Sequence, residues 1–202
     1  MILIDIGNTN IVFAVSSNKI LKNIIRIESN QNINQLNISI KKIIKKLIKI
    51  KRLDSPNIAI ISSVVPSLNK PIIKILKINK INELFLKSKN ILPFLKIDYN
   101  LNEIGADRIA NSIAIINNNI NNSIVIDFGT ATTFEVIKES IFSGGLIFPG
   151  INLSKNALIN KTSLLRNTDV VKTNNIVAKN TKDAIRSGFY WGYIFAINGI
   201  IK

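Results

Sequence analysis

The chain contains no cysteine and no histidine. The first absence excludes disulfides and thiolate chemistry. The second removes the commonest metal ligand and the usual general base, so any acid–base step must fall to carboxylates, lysine or tyrosine. Hydrophobic residues make up 47% of the sequence, yet no apolar run approaches the ~18 residues of a membrane span. Met1 leads directly into an apolar stretch ending in Asp5, with no sign of a secretory signal. A cytoplasmic location without a membrane partner is therefore expected. Acids are also scarce: 12 Asp and Glu stand against 27 Lys and Arg, a formal net charge of +15. Such an excess can mark a nucleic-acid partner. Here Ile, Lys and Asn, all with A/T-rich codons, are abundant even in loops such as 117–122. The lysines are spread through helical stretches rather than gathered with aromatics. We attribute the charge to coding bias and expect no nucleic-acid partner. The 202 residues suffice for one large domain or two small ones.

The most informative stretch is Ile124-Val125-Ile126-Asp127-Phe128-Gly129-Thr130-Ala131-Thr132-Thr133-Phe134-Glu135. Ile124 to Ile126 read as a strand buried on both faces. Gly129 permits a tight turn and close approach of backbone N–H groups to a ligand. Thr130, Thr132 and Thr133 supply hydroxyls, and the run through Val136 and Ile137 suits a returning strand. A carboxylate beside a Gly/Thr turn suits a phosphate and its neutralising cation; an ordinary hairpin with an exposed Asp reads equally well from this stretch alone. The N-terminus repeats the design. Met1-Ile2-Leu3-Ile4-Asp5-Ile6-Gly7-Asn8-Thr9 is an apolar strand, an Asp, a Gly two residues on and a Thr, with a returning strand over 11–15. Two copies point to a duplicated architecture.

Between the copies, 20–27 reads as a third strand, and 33–52 changes to helical period. Leu36, Ile40, Ile43, Ile44, Leu47 and Ile48 share one face, and Lys41, Lys42, Lys45, Lys46 and Lys49 lie elsewhere. A membrane-surface helix has this pattern, but a core-packing helix with a solvated lysine face accounts for it more simply. A buried strand over 57–62, parallel to the first, precedes a turn and a short helix capped by Ser67, with Pro71 in its first turn. Another short strand is expected at 83–86. A polar loop from Tyr99 runs into a helix starting near Asp107 with Ile109, Ile113 and Ile116 in one stripe. Gly105-Ala106 leaves room for an anion at that helix N-terminus; Asp107 as a plain N-cap with Arg108 as its ion partner is the simpler local alternative. Ser143-Gly144-Gly145-Leu146-Ile147-Phe148-Pro149-Gly150 reads as a Gly/Pro-rich link to a helix from Leu153. Val170 to Thr173 suits a strand or loop. The last helix begins at the N-cap Asn180, with Asp183 three residues on and small residues at Gly188, Gly192 and Ala196. Alternating strands and helices give an α/β class.

In this order the chain resembles the type III pantothenate kinases. The matching residues are Asp5-Ile6-Gly7-Asn8-Thr9, Gly105-Ala106-Asp107-Arg108, Asp127-Phe128-Gly129-Thr130-Ala131-Thr132-Thr133, Gly144-Gly145 with Pro149-Gly150, and Asn180-Thr181 with Ser187-Gly188. The second and third together are highly specific. The resemblance implies the actin-like ATPase fold of the acetate-kinase/hexokinase superfamily: duplicated ribonuclease-H-like halves, mixed sheets flanked by helices. The halves are expected at 1–110 and 111–202. Two departures stand out. Leu101-Asn102 occupies a loop where relatives usually carry Pro, and relatives continue beyond this length through a Thr-Gly-Gly segment and further strand–helix elements, so the second half is expected to be shortened.

The resemblance implies ATP-dependent phosphorylation of pantothenate to 4′-phosphopantothenate, the first step of coenzyme A biosynthesis. It assigns the ATP site to Asp5, Ile6, Gly7, Asn8, Thr9, Asn10, Ile11, Val12 and Thr130. Asp5 helps hold the Mg²⁺–phosphate group, and Asp127 matches a ligand of K⁺ (or NH4⁺). Pantothenate falls to Tyr99, Gly105, Ala106, Asp107, Arg108 and Thr181, with Asp107 as proton acceptor. The family acts as a homodimer, which makes the Gly188/Gly192/Ala196 helix a candidate contact surface. Two other classes of function compete: a DNA-binding transcriptional accessory factor, motivated by the charge, and a truncated non-catalytic relative. The paired aspartate–glycine hairpins have no role in the first of these.

Overall fold

The computed structural model describes residues 1–17, 20–50, 57–162 and 168–202. It divides into two compact units, Met1–Ser123 with Ile137–Gly144, and Ile124–Val136 with Gly145–Lys202.

The first unit is built on strands β1 (Ile2–Ile6), β2 (Asn10–Ser17), β3 (Ile20–Glu28), β4 (Ile58–Ser63) and β5 (Asn82–Phe85). Their order is β3-β2-β1-β4-β5. The first three form an antiparallel meander, and β4 and β5 add in parallel. A parallel neighbour requires a crossover, and helices α1 (Ile33–Ile50) and α2 (Pro66–Ile78) provide the two needed here. The α1 periodicity is realised: Leu36, Ile40, Ile43, Ile44 and Leu47 are buried, in one core with Ile2, Ile4, Ile6, Phe13, Ala59 and Ile61. The last residues expected for this helix, 51–52, lie outside the described residues. Because side chains alternate along a strand, burial of Ile4 and Ile6 in that core turns Asp5 to the opposite, exposed face.

Three expectations are corrected here. Helix α2 starts at Pro66 with Val65 as N-cap, so Ser67 lies inside the helix and Pro71 beyond its first turn. Proline's fixed φ suits the first helical position and sets the start there. Ser63 does the local polar work instead, accepting from the Val65 N–H at 3.3 Å and donating to Asn69 Oδ1 at 2.6 Å. The stretch after residue 140 is strand β9 (Ile141–Pro149), not a link. Pairing outweighs the local turn signal of Gly144-Gly145; only Gly144 shows the cost, with φ at +112°. Third, α5 (Ile151–Asn160) starts at Ile151, two residues earlier than read, with Gly150 as N-cap.

The second sheet has the order β6-β9-β8-β7, with β6 (Lys96–Ile97), β7 (Ser123–Phe128) and β8 (Ala131–Lys138). The two-residue links in the β7-β8-β9 run make them hairpins, and Glu139 and Ser140 in the second take φ of 52° and 62°. The first unit's share of this sheet carries a second core of Ile91, Leu95, Ile104, Ile109, Ile137 and Phe142, under α4 (Ala106–Asn117) and the short α3 (Ser88–Ile91). Strand β7 is not buried on both faces as its composition suggests. It has a strand neighbour on one side only among the described residues, and Ile124 and Phe128 are 40% and 60% exposed.

The second unit is completed by α5 and α6 (Thr181–Ile201). Asn180 caps α6 as read, its Oδ1 accepting from the Asp183 N–H at 2.9 Å. Residues 170–173 form no strand. No described helix is long and apolar enough to cross a membrane.

Candidate active site

In the first unit, the ends of β1 and β4 meet the N-terminus of α4. Asp5 stands in register with Ser62, and Ile6 with Ser63. The chain leaving β4 is pinned to β1 by a Val64 N–H donated to Ile6 O at 3.0 Å. The Val64 side chain in turn lies beside Gly105, 3.6 Å from where a Cβ on that residue would sit. Three of the sequence-assigned groups thus gather around Val64: the Asp5 strand end, the Gly7 turn and the Gly105-Ala106-Asp107-Arg108 segment. Gly7 donates its N–H to Asn10 O at 2.9 Å and closes the hairpin. Its peptide N–H is therefore used within the turn itself. Ser29, just after β3, locks the turn, donating its hydroxyl to Gly7 O at 2.6 Å and its N–H to Thr9 O at 2.9 Å. The remaining assigned residues, Asn10, Ile11 and Val12, begin β2, and Ile11 is fully buried.

Asp107 is not the cap of α4; Gly105 is. The Asp107 carboxylate instead accepts the Arg108 N–H through Oδ1 at 2.8 Å. A Cβ at Gly105 would lie 2.5 Å from that same oxygen, so glycine here is what lets the carboxylate take this position. Arg108 is 5% exposed. Its guanidinium lies 5.6 Å from the Tyr99 ring centroid and 5.3 Å from that of Phe142. Tyr99 itself is 38% exposed. The loop after it is tied by Asn100, which accepts from the Asn102 N–H at 3.1 Å and donates to Glu103 Oε1 at 2.8 Å. These Asn bonds order the turn at Leu101-Asn102 without the proline.

In the second unit, Asp127 is the penultimate residue of β7 and is exposed, as is Phe128 after it. Gly129 donates its N–H to Ala131 O at 2.9 Å, a closure one residue tighter than the Gly7 bond to Asn10 O in the first hairpin. Thr130 O accepts the Gly150 N–H at 3.1 Å. A Cβ on Gly150 would lie 2.5 Å from Gly129 O and would overlap Thr130 O as well. Thr181 is exposed at the first position of α6. Asp183 is held below the usual carboxylate range, chiefly by the side-chain hydrogen bond from Asn180 and further by Arg186. Gly188 and Gly192 face open space and line a groove of about 640 Å³ with Phe148, Phe189 and Tyr193. Ser29, Val64 and Phe142 escape sequence reading, and Gly150 is read only as part of a motif; their roles come from pairing with residues far along the chain.

No group of three or more carboxylates occurs among the described residues. Asp5 and Asp127 each offer a carboxylate, a hard oxygen donor of the kind that Mg²⁺ and K⁺ take.

The sequence model of the family described as type III pantothenate kinase matches residues 1–202. The type III pantothenate kinase of Pelagibacter ubique (strain HTCC1062) is 40% identical over 201 residues, covering 98% of this chain and 78% of that protein. That of Ehrlichia canis (strain Jake) is 38% identical over 220 residues, covering 100% and 78%. Among solved structures, a Campylobacter jejuni protein described as a Baf family transcriptional activator superposes with a TM-score of 0.58 at 24% identity, over 99% of this chain and 79% of its own; this likeness is one of fold. With a family match along its whole length and relatives this close, the chain belongs to the type III pantothenate kinases.

Proposed function

We propose that the protein transfers the γ-phosphoryl group of ATP to the primary hydroxyl of pantothenate, with Asp107 as the base. The observation that carries this reading is the Asp107 carboxylate, held at the start of α4 by one hydrogen bond through Oδ1 and given its space by Gly105. Its Oδ2 then takes the proton of the attacking hydroxyl. A carboxylate is a weak base for an alcohol proton, so alignment and charge neutralisation supply most of the rate. Asp107, Tyr99 and the 105–108 backbone orient the substrate hydroxyl; Thr181 and Arg108 serve pantothenate binding.

On the nucleotide side, the 5–12 segment and Thr130 bind ATP. Asp5 would hold Mg²⁺, which would supply charge neutralisation at the phosphates. Asp127 provides a carboxylate for K⁺ or NH4⁺. We further infer a homodimer acting in the cytoplasm. The apolar groove of α6 and the exposed Phe195 and Ile201 on the same helix support self-association.

The test is phosphorylation of pantothenate by the full chain and by Asp107→Asn. The variant keeps its fold, read by circular dichroism, and loses turnover by about two to four orders of magnitude. Turnover at the wild-type level in the variant would remove Asp107 as the base. No turnover in the wild type with ATP, Mg²⁺ and K⁺ would refute the reaction itself.

A further inference from the structure

We propose that Phe142 is a positioning residue for pantothenate, acting through Tyr99 and Arg108; the proposal rests on the reading of those two residues as substrate-binding. Phe142 sits on β9, fully buried, in register with Ile97 of β6. It holds the substrate-side elements in two ways. Its carbonyl accepts the Asp98 N–H at 2.8 Å, which fixes the chain one residue before Tyr99. Its ring meets the Tyr99 ring edge-on, with centroids 5.7 Å apart and planes at 87°. The Arg108 guanidinium then lies against both rings, 5.3 Å from Phe142 and 5.6 Å from Tyr99.

The arrangement joins three elements that local sequence does not connect: a sheet strand, a loop and the first turn of α4. The strand is the rigid member, because its place is set by hydrogen bonds to neighbours. A ring edge is positive and a ring face negative, so the perpendicular aromatic pair and the cation beside it are mutually attractive. Gly144, two residues further on the strand, lies beside the same ring: a Cβ there would be in ordinary contact, 3.7 Å from Tyr99 Cδ2. Without the Phe142 ring, Tyr99 loses its edge partner and Arg108 one of its two π-systems. Both gain freedom, whereas Asp107 and the nucleotide turns keep their own contacts.

The experiment is steady-state kinetics of the full chain with Phe142→Leu and Phe142→Met, the second chosen as an unbranched gap-filler. The expected result is a KM for pantothenate raised about three- to thirtyfold, with the KM for ATP within about twofold of wild type. A merely structural loss would move both constants or neither. Tyr99→Ala is measured alone and with Phe142→Leu. A raised pantothenate KM in each single variant, with the double variant no worse than the larger of them, supports action through Tyr99. Additive effects overturn it. If Tyr99→Ala raises the pantothenate KM and the Phe142 variants do not, the substrate assignment stands and the proposal alone falls. If Tyr99→Ala has no effect, the assignment fails and the proposal with it. If neither Phe142 variant melts cooperatively, Phe142 serves the fold alone and the proposal is overturned.

Discussion

Gly150→Ala is a single methyl aimed at the Gly129-Thr130 turn, part of the proposed nucleotide site. The residue has φ −67° and ψ 154°, a conformation open to alanine, so backbone strain does not enter. The cost is steric. The new Cβ would lie 2.5 Å from Gly129 O and 2.8 Å from Thr130 C, about 0.9 Å inside ordinary contact for the first. Both are backbone atoms, which cannot swing away as a side-chain end does. Either the Gly129-Thr130 turn or the start of α5 must move by close to an ångström, and the Gly150 N–H to Thr130 O bond of 3.1 Å stretches or breaks. Overpacking of this kind costs about 1–3 kcal/mol. A displacement of about 1 Å in a positioning element costs up to about a hundredfold in rate. The assay is thermal melting together with kcat and KM for ATP at several K⁺ concentrations. We expect a lower melting temperature, a KM for ATP raised by about tenfold or more, and a pantothenate KM that moves little. Wild-type kinetics for ATP in a variant that melts normally would refute the claim that this contact holds the turn.

Asp127→Asn removes the carboxylate beside that turn and is expected to flatten the response of activity to K⁺ while the melting temperature stays near normal; an unchanged K⁺ titration would dismiss the cation assignment. Tyr193→Phe deletes a hydroxyl that donates to Pro149 O at 2.6 Å and lies 2.8 Å from Ser154 Oγ. With Tyr193 only 7% exposed, the loss is expected to destabilise by about 1–3 kcal/mol in urea unfolding. Asp183 has a folded-state pKa below its unfolded one, chiefly through Asn180. Its stabilising effect is therefore present above the unfolded value of about 3.9 and fades as pH falls through the folded one. The melting-temperature gap between wild type and Asp183→Ala should hold steady above about pH 5 and narrow below about pH 4; a gap that narrows at neutral pH would contradict this.

Much of the first unit follows from sequence alone. The apolar run ending in Asp5 marks the first strand, and the helical stripe of α1 names its own core residues. The α6 cap is also local, because Asn180 and Asp183 are three residues apart and need no partner elsewhere. The aspartate–glycine hairpins are legible for the same reason: Gly7 and Gly129 each close a turn within a few residues. Tertiary structure decided the rest. Residues 143–149 carry the signals of a turn-rich link, and they became a strand because β9 pairs with β8, with β6 adding pairs only at Ile141 and Phe142. The composition of 124–126 is that of a buried strand, yet exposure depends on how many neighbours a strand finds, and β7 finds one among the described residues. Gly150 looks like any helix-start glycine until Gly129 O and Thr130 O are brought against it. Phe142 carries no motif at all, and its place between Tyr99 and Arg108 exists only after the sheet has set its register. Turns, caps and amphipathic faces are determined by interactions within a few residues. Strand neighbours, backbone-to-backbone contacts and aromatic seats depend on segments far apart in the chain, whose meeting is fixed only by the fold.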